Sequence, residues 1–110
     1  MNQCSPVQCM CFCPTAEVPV APIAVVVGNP GAVATVTLFG TLGFQVSILT
    51  NPALAVSLLP VIAAVALVSG NILQITTAAP VAGDEGSYDA VVQVCNACGS
   101  VDIPIRVEVT

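Results

Sequence analysis

Charge is what this sequence has least of. It contains no Lys, no His and no Trp, and its formal net charge is -5. Glu17, Asp84, Glu85, Asp89, Asp102, Arg106 and Glu108 are all the charge there is, and residues 18–83 hold none. Nucleic-acid binding rests on several Lys or Arg contacts to phosphate. One Arg cannot supply them, so no nucleic-acid partner is expected. Without His the commonest general base is missing, and no other pair of residues is arranged as a tuned acid and base. The chain is therefore read as a non-enzyme, with no catalytic residues, no cofactor and no small-molecule substrate.

The same scarcity bears on assembly. A folded chain of 11.0 kDa exposes roughly 5,600 Å², and seven charged side chains cannot cover that area. The sequence is 56% apolar, and soluble monomers normally avoid contiguous apolar patches above a few hundred Å². Exposed apolar area costs about 25 cal/mol per Å² relative to burial. Neighbouring copies or lipid must cover part of this surface.

Lipid is the weaker of the two. The stretch 52–70 approaches the ~20 apolar residues of a membrane span, and a small membrane protein spanning there is one reading. Pro60 interrupts it, its second half is rich in β-branched residues, and no Lys or Arg flanks it to set orientation. The first residues, Met1 to Pro6, lack the basic and apolar regions of a secretory signal. Membrane insertion is not expected, and no export signal is visible in the numbered chain.

Two units are expected along the chain. Residues 1–22 carry Cys4, Cys9, Cys11 and Cys13 followed by Pro14, Pro19 and Pro22, a proline density that forbids helix and favours an extended connector arm. Residues 23–110 alternate short apolar runs with turn residues, as in a β-sandwich. The strands expected are Ile23–Val27, Ala32–Phe39, Phe44–Thr50, Leu54–Leu59, Ile62–Val68, Asn71–Thr77, Tyr88–Cys95 and Val101–Val109. Gly28 to Gly31 and Gly40 to Gly43 are the clearest turns. The last two strands flank Asn96 to Ser100 as a hairpin loop. Pro104 cannot donate a ladder hydrogen bond, which places it at an edge or a bulge. The fold class is all-β: a small antiparallel β-sandwich, Ig-like or jelly-roll, with an extended N-terminal arm.

Asp84-Glu85-Gly86-Ser87-Tyr88 matches Asp-x-Gly-x-Tyr just before an apolar strand, where immunoglobulin-like sandwiches place a tyrosine corner. Asp84, Gly86 and Tyr88 are the candidate corner residues. From Ile72 to Val109 the order of strand, motif, strand, turn, strand resembles the last three strands of Ig-like and PKD-like bacterial surface modules. A generic turn before a strand would leave the same pattern.

Six cysteines remain to be explained. Cys95-Asn96-Ala97-Cys98 has CxxC spacing, but Gly99 stands where haem attachment needs His, and a hairpin loop is not the helix start of a redox motif. Zinc held with Cys4 or with ligands from Cys9 to Cys13 is an alternative, although Cys9, Cys11 and Cys13 alternate where zinc knuckles prefer two intervening residues. No metal is expected. In an extended arm that alternation turns three thiols to one side. Disulfides within one domain and disulfides between subunits both remain open.

A cysteine-bearing connector ahead of a small β-sandwich resembles the subunits of Bacillus-type endospore appendage fibres. That resemblance implies connector thiols at Cys9, Cys11 and Cys13, and receivers at Cys95 or Cys98 on neighbouring copies. The function expected is thus a structural subunit of a self-assembling filament or surface layer, extracellular or on the cell or spore surface. Its partners would be copies of itself. An Ig-like adhesion or binding module is the alternative.

Overall fold

The computed structural model describes residues 12–17 and 21–110. Cys4, Cys9 and Cys11 lie outside them. Eight strands follow one another: β1 (Thr15–Ala16), β2 (Ile23–Val25), β3 (Val33–Phe39), β4 (Gln45–Thr50), β5 (Ile62–Ser69), β6 (Ile72–Thr77), β7 (Gly86–Asn96) and β8 (Gly99–Val109). They form two four-stranded sheets, ordered β1-β3-β6-β5 and β2-β8-β7-β4.

Alternation of side chains drives the layering. On β8, Ile103, Ile105, Val107 and Val109 are buried while Asp102, Pro104 and Arg106 are exposed, because successive residues of a strand point to opposite faces. The first sheet answers with Val36 and Leu38 on β3 and Leu73 and Ile75 on β6. These join Val92 and Val94 of β7 in one core. The inner faces of two stacked sheets can thus shield each other across about 10 Å.

Connectivity decides between the two sandwich types. The chain enters along β3 of the first sheet through β1, then crosses to the second sheet, where β2 runs parallel to β8, Ile23 beside Val107 and Val25 beside Val109. Strands β3, β6 and β5 on one side, and β4, β7 and β8 on the other, reproduce the constant-type immunoglobulin order. The fold is Ig-like, and the jelly-roll alternative is set aside. Among the described residues one strand pair is parallel in an otherwise antiparallel sandwich.

Three local expectations change, and one alternative reading, a span at 52–70, meets the structure. The strand expected at Leu54–Leu59 is a turn closed by a bridge between Ala53 and Pro60. The stretch 52–70 is that turn followed by β5, and no helix among the described residues is long and apolar enough to cross a membrane. The last hairpin is tighter than expected, since Asn96 pairs with Gly99 and only Ala97 and Cys98 remain between the strands. Finally, β1 lies inside the segment read as a connector, pairing Thr15 with Phe39 and Ala16 with Leu38.

Pro104 pairs opposite Val91 with no shift of register. On the other flank of β8, β2 reaches only Val107 to Val109. Pro104 therefore occupies a locally unpaired edge, where a missing N–H costs no ladder bond.

Leu73 is fully buried at the centre of the first sheet, opposite Val36 on one side and Leu67 on the other. Leu73→Ala is expected to lower the unfolding free energy by about 2–5 kcal/mol, measured as a fall in the urea midpoint at unchanged m-value.

Candidate interaction surfaces

Three features separate this sandwich from a generic one: a buried carboxylate at one end, a cluster of cysteines at the other, and an uneven distribution of charge between its two faces.

The carboxylate belongs to Asp84, in the loop between β6 and β7, and has no solvent exposure. Among the described residues no basic side chain pairs with it. Its Oδ1 accepts from the amides of Val56 (2.7 Å) and Ser57 (3.0 Å), and its Oδ2 from the amide of Val81 (2.9 Å). Burial alone would push the carboxyl upward, but the Val81, Ser57 and Val56 amides outweigh it and hold the group at about 2 against an ordinary 3.8. Tyr88 completes the corner: its hydroxyl donates to the Asp84 carbonyl at 2.7 Å and accepts from the Ala55 amide at 3.1 Å. Gly86 sits between them at φ +145°, a region that side chains rarely adopt.

What this corner holds is the 53–60 turn. Leu54 is buried beneath it, its amide donating to the Leu59 carbonyl at 2.8 Å. Gly83 leaves room for the Val56 side chain, whose Cγ2 would lie 2.6 Å from a Cβ placed there. At the apex Leu58 adopts φ +60°, the single positive φ among described residues other than glycine. A leucine held there costs on the order of 1 kcal/mol. Val56, Leu58 and Leu59 nevertheless point to solvent, with Leu58 71% exposed.

At the opposite end the chain enters beside the β7–β8 hairpin. Asn96 joins three segments there: its Nδ2 donates to the carbonyls of Phe12 (2.8 Å) and Thr41 (3.0 Å), and its Oδ1 accepts from the amides of Cys98 (2.9 Å) and Gly99 (3.1 Å). Phe12 and Thr41 also bond each other directly. Cys13 reaches the Cys98 carbonyl at 3.7 Å. Cys98 is buried and disulfide-bonded, while Cys95 is a half-buried free thiol one turn away. Cys13, Cys95 and Cys98 are thereby gathered at one pole. The described residues contain no cluster of three or more metal-ligating side chains.

The faces differ in charge. The outer face of the second sheet carries the Arg106–Asp89 pair (3.3 Å), Asp102 bonded to Gln93 (3.1 Å), and Glu108. The outer face of the first sheet presents Val33, Thr35 and Thr37 beside Thr76, Gln74 and Ile72, with Ala64 and Ala66 alongside. It bears no charge. Glu17 lies at its margin, its carboxylate accepting from the Thr37 amide at 2.8 Å. The two edge strands on one flank, β4 and β5, are likewise free of Asp, Glu, Lys, Arg and Pro.

No family model matches this sequence, and no curated protein matches it. Solved structures do. The chain aligns over 91% of its length with a chimeric titin Z1Z2, covering 96% of that chain, at TM-score 0.62 and 18% identity. A three-Ig fragment of titin aligns over 89% of this chain and 32% of its own, at TM-score 0.60 and 18% identity. An endo-fucoidan hydrolase of glycoside hydrolase family 107 aligns over 99% of this chain at TM-score 0.67 and 10% identity, although the chain spans only 15% of it. At such identities the likeness is one of fold, an Ig-like sandwich. None of these likenesses extends to spore-appendage subunits.

Two outcomes follow for the corner. Tyr88→Phe removes a hydroxyl that donates once and accepts once, and should cost about 1 kcal/mol, read as a Tm drop of about 4–8 °C for a domain of this size. Acid should act through Asp84: its carboxyl is depressed in the folded state, so the unfolded chain protonates first, and stability present above pH 4 is lost as pH falls toward 2. Urea titrations between pH 2 and 6 should show this limb, and Asp84→Asn, less stable throughout, should flatten it.

Proposed function

We propose that this chain is a structural Ig-like subunit of a self-assembling extracellular filament or surface layer. The observation that carries the reading is the neutral outer face of the first sheet, continued by two uncharged edge strands. Natural sheets blunt such edges with Lys, Pro or inward charge. Here the bulges in β4 and β5 are the only device of that kind on this flank among the described residues. A neutral face beside a neutral edge is suited to another copy of itself, because neither carries a charge that contact would strand without solvent.

The cysteines supply the covalent part of the proposal. Of the arm that carries Cys4, Cys9, Cys11 and Cys13, the described residues Phe12 and Cys13 lie at the pole where Cys95 and Cys98 sit. Side-by-side copies would bring these poles together, and in an oxidising setting arm thiols of one copy would couple to Cys95 of the next. Cys98 is already bonded, which makes Cys95 the hairpin thiol suited to such a link. An exported or surface location follows from this chemistry, since cytosolic thiols are kept reduced.

A second reading is an Ig-like adhesion module that meets one partner through the same neutral face, favoured by the fold it shares with titin Ig domains. Electrophoresis separates the two. Purified protein without reductant should give a ladder of covalent oligomers that collapses on reduction. A single monomer band, together with monomeric light scattering at high concentration, would leave only the adhesion module.

A further inference from the structure

We infer that the 53–60 turn is a preformed apolar knob that seats on the opposite pole of a second copy, making an end-to-end contact. This rests on the self-assembly proposed above and specifies one of its contacts.

Local chemistry points away from a purely structural turn. A position at φ +60° favours Gly or Asn, and an exposed turn apex favours polar side chains. Leu58 violates both preferences at 71% exposure. The surrounding structure is built to tolerate this. Asp84 fixes the Val56 and Ser57 amides, Tyr88 fixes that of Ala55, and Leu54 closes the turn through Leu59. Strain that persists because neighbours over-determine it marks a site whose shape is used. Val56, Leu58, Leu59 and the adjacent Val81 are all about half or more exposed, and a rigid apolar projection loses little conformational freedom on docking.

The occupant is indicated by where the remaining exposed apolar side chains lie. Apart from Leu49 and Val68 on the β4 and β5 edges and Val33 on the outer face of the first sheet, the large exposed apolar residues of the described chain sit at its two ends. The end opposite the knob presents Phe12 (73% exposed), Phe39 (52%) and Leu42 (63%). The loops around that cluster, 40–44, 70–71 and 97–98, contain no charged residue. Asn96 fixes it by tying Phe12 and Thr41 to the β7–β8 hairpin. One molecule thus carries a neutral apolar projection at one end and a neutral apolar cluster at the other. Two different, mutually suited ends make a heterologous contact, which propagates as an open chain of copies rather than closing as a dimer.

Two variants and their mixture test this in reductant, where disulfides play no part. Leu58→Asn suits the left-handed backbone, so its Tm should equal or exceed that of the unaltered protein. Leu42→Asn alters the other end. By sedimentation velocity over a concentration series, the unaltered protein should form oligomers, and each variant alone should associate at least tenfold more weakly. An equimolar mixture of the variants should associate more strongly than either variant alone, because one intact knob and one intact cluster remain. Oligomers undiminished by Leu58→Asn would overturn the knob while leaving self-assembly standing, as would a mixture that associates no more strongly than the separate variants. Unaltered protein that is monomeric in reductant but forms a covalent ladder without it would also overturn the knob alone. Monomers under both conditions would remove the assembly proposal with it.

Discussion

The sandwich is closed at one end by a carboxylate with no countercharge. Asp84 is wholly buried, and an ion in that position is tolerated only if its oxygens are hydrogen-bonded. The bonds come from two loops: Val81 on the 78–85 connection and Val56 with Ser57 on the 51–61 connection. The loops belong to different crossings of the sandwich, one leading into β7 of the second sheet and the other into β5 of the first. Satisfying one buried ion therefore fixes both connections together. Tyr88 adds a bond to each, through the Asp84 carbonyl and the Ala55 amide.

That arrangement explains how a chain with so little charge still specifies one structure. Hydrophobic burial is non-directional, and a β-sandwich of Val, Ile and Ala has many nearly equivalent ways to pack. Directional bonds select among them. Asp84 does so at one pole and Asn96 at the other, where its amide group spends both donor and acceptor on backbone partners from three segments. Of the remaining charges, Asp89, Asp102, Arg106 and Glu108 sit on the outer face of β7 and β8, Glu85 lies in the corner loop, and Glu17 lies only at the margin of the opposite face.

The outline of the fold was legible in the sequence, because alternation is a local signal. The strands from β3 onward, apart from the misplaced one, fall within about two residues of where the apolar pattern put them. Errors arose where distant residues decide. The segment 54–59 is apolar enough for a strand, yet Asp84 captures its amides from 27 and 28 residues away. The β7–β8 turn is shortened by the Asn96 side chain bonding the Cys98 and Gly99 amides. The parallel pairing of β2 with β8 joins residues 84 positions apart, and no periodicity encodes it. The motif Asp-x-Gly-x-Tyr was visible, but what Asp84 holds in place was not.

Leu58 is where local and global preference part most clearly. Sequences that fold well tend to agree at every level, and the exceptions gather at sites under another demand. A turn could have been closed here by Asn or Gly with less strain and better solvation. Instead a branched apolar side chain is held outward, on a backbone region it disfavours, by the most heavily bonded carboxylate in the described chain. Among the described residues nothing gains from that exposure, since Leu58 is 71% exposed and Leu54 already fills the space beneath. On the end-to-end contact proposed above, the gain comes from a second copy, whose other end is equally neutral and apolar.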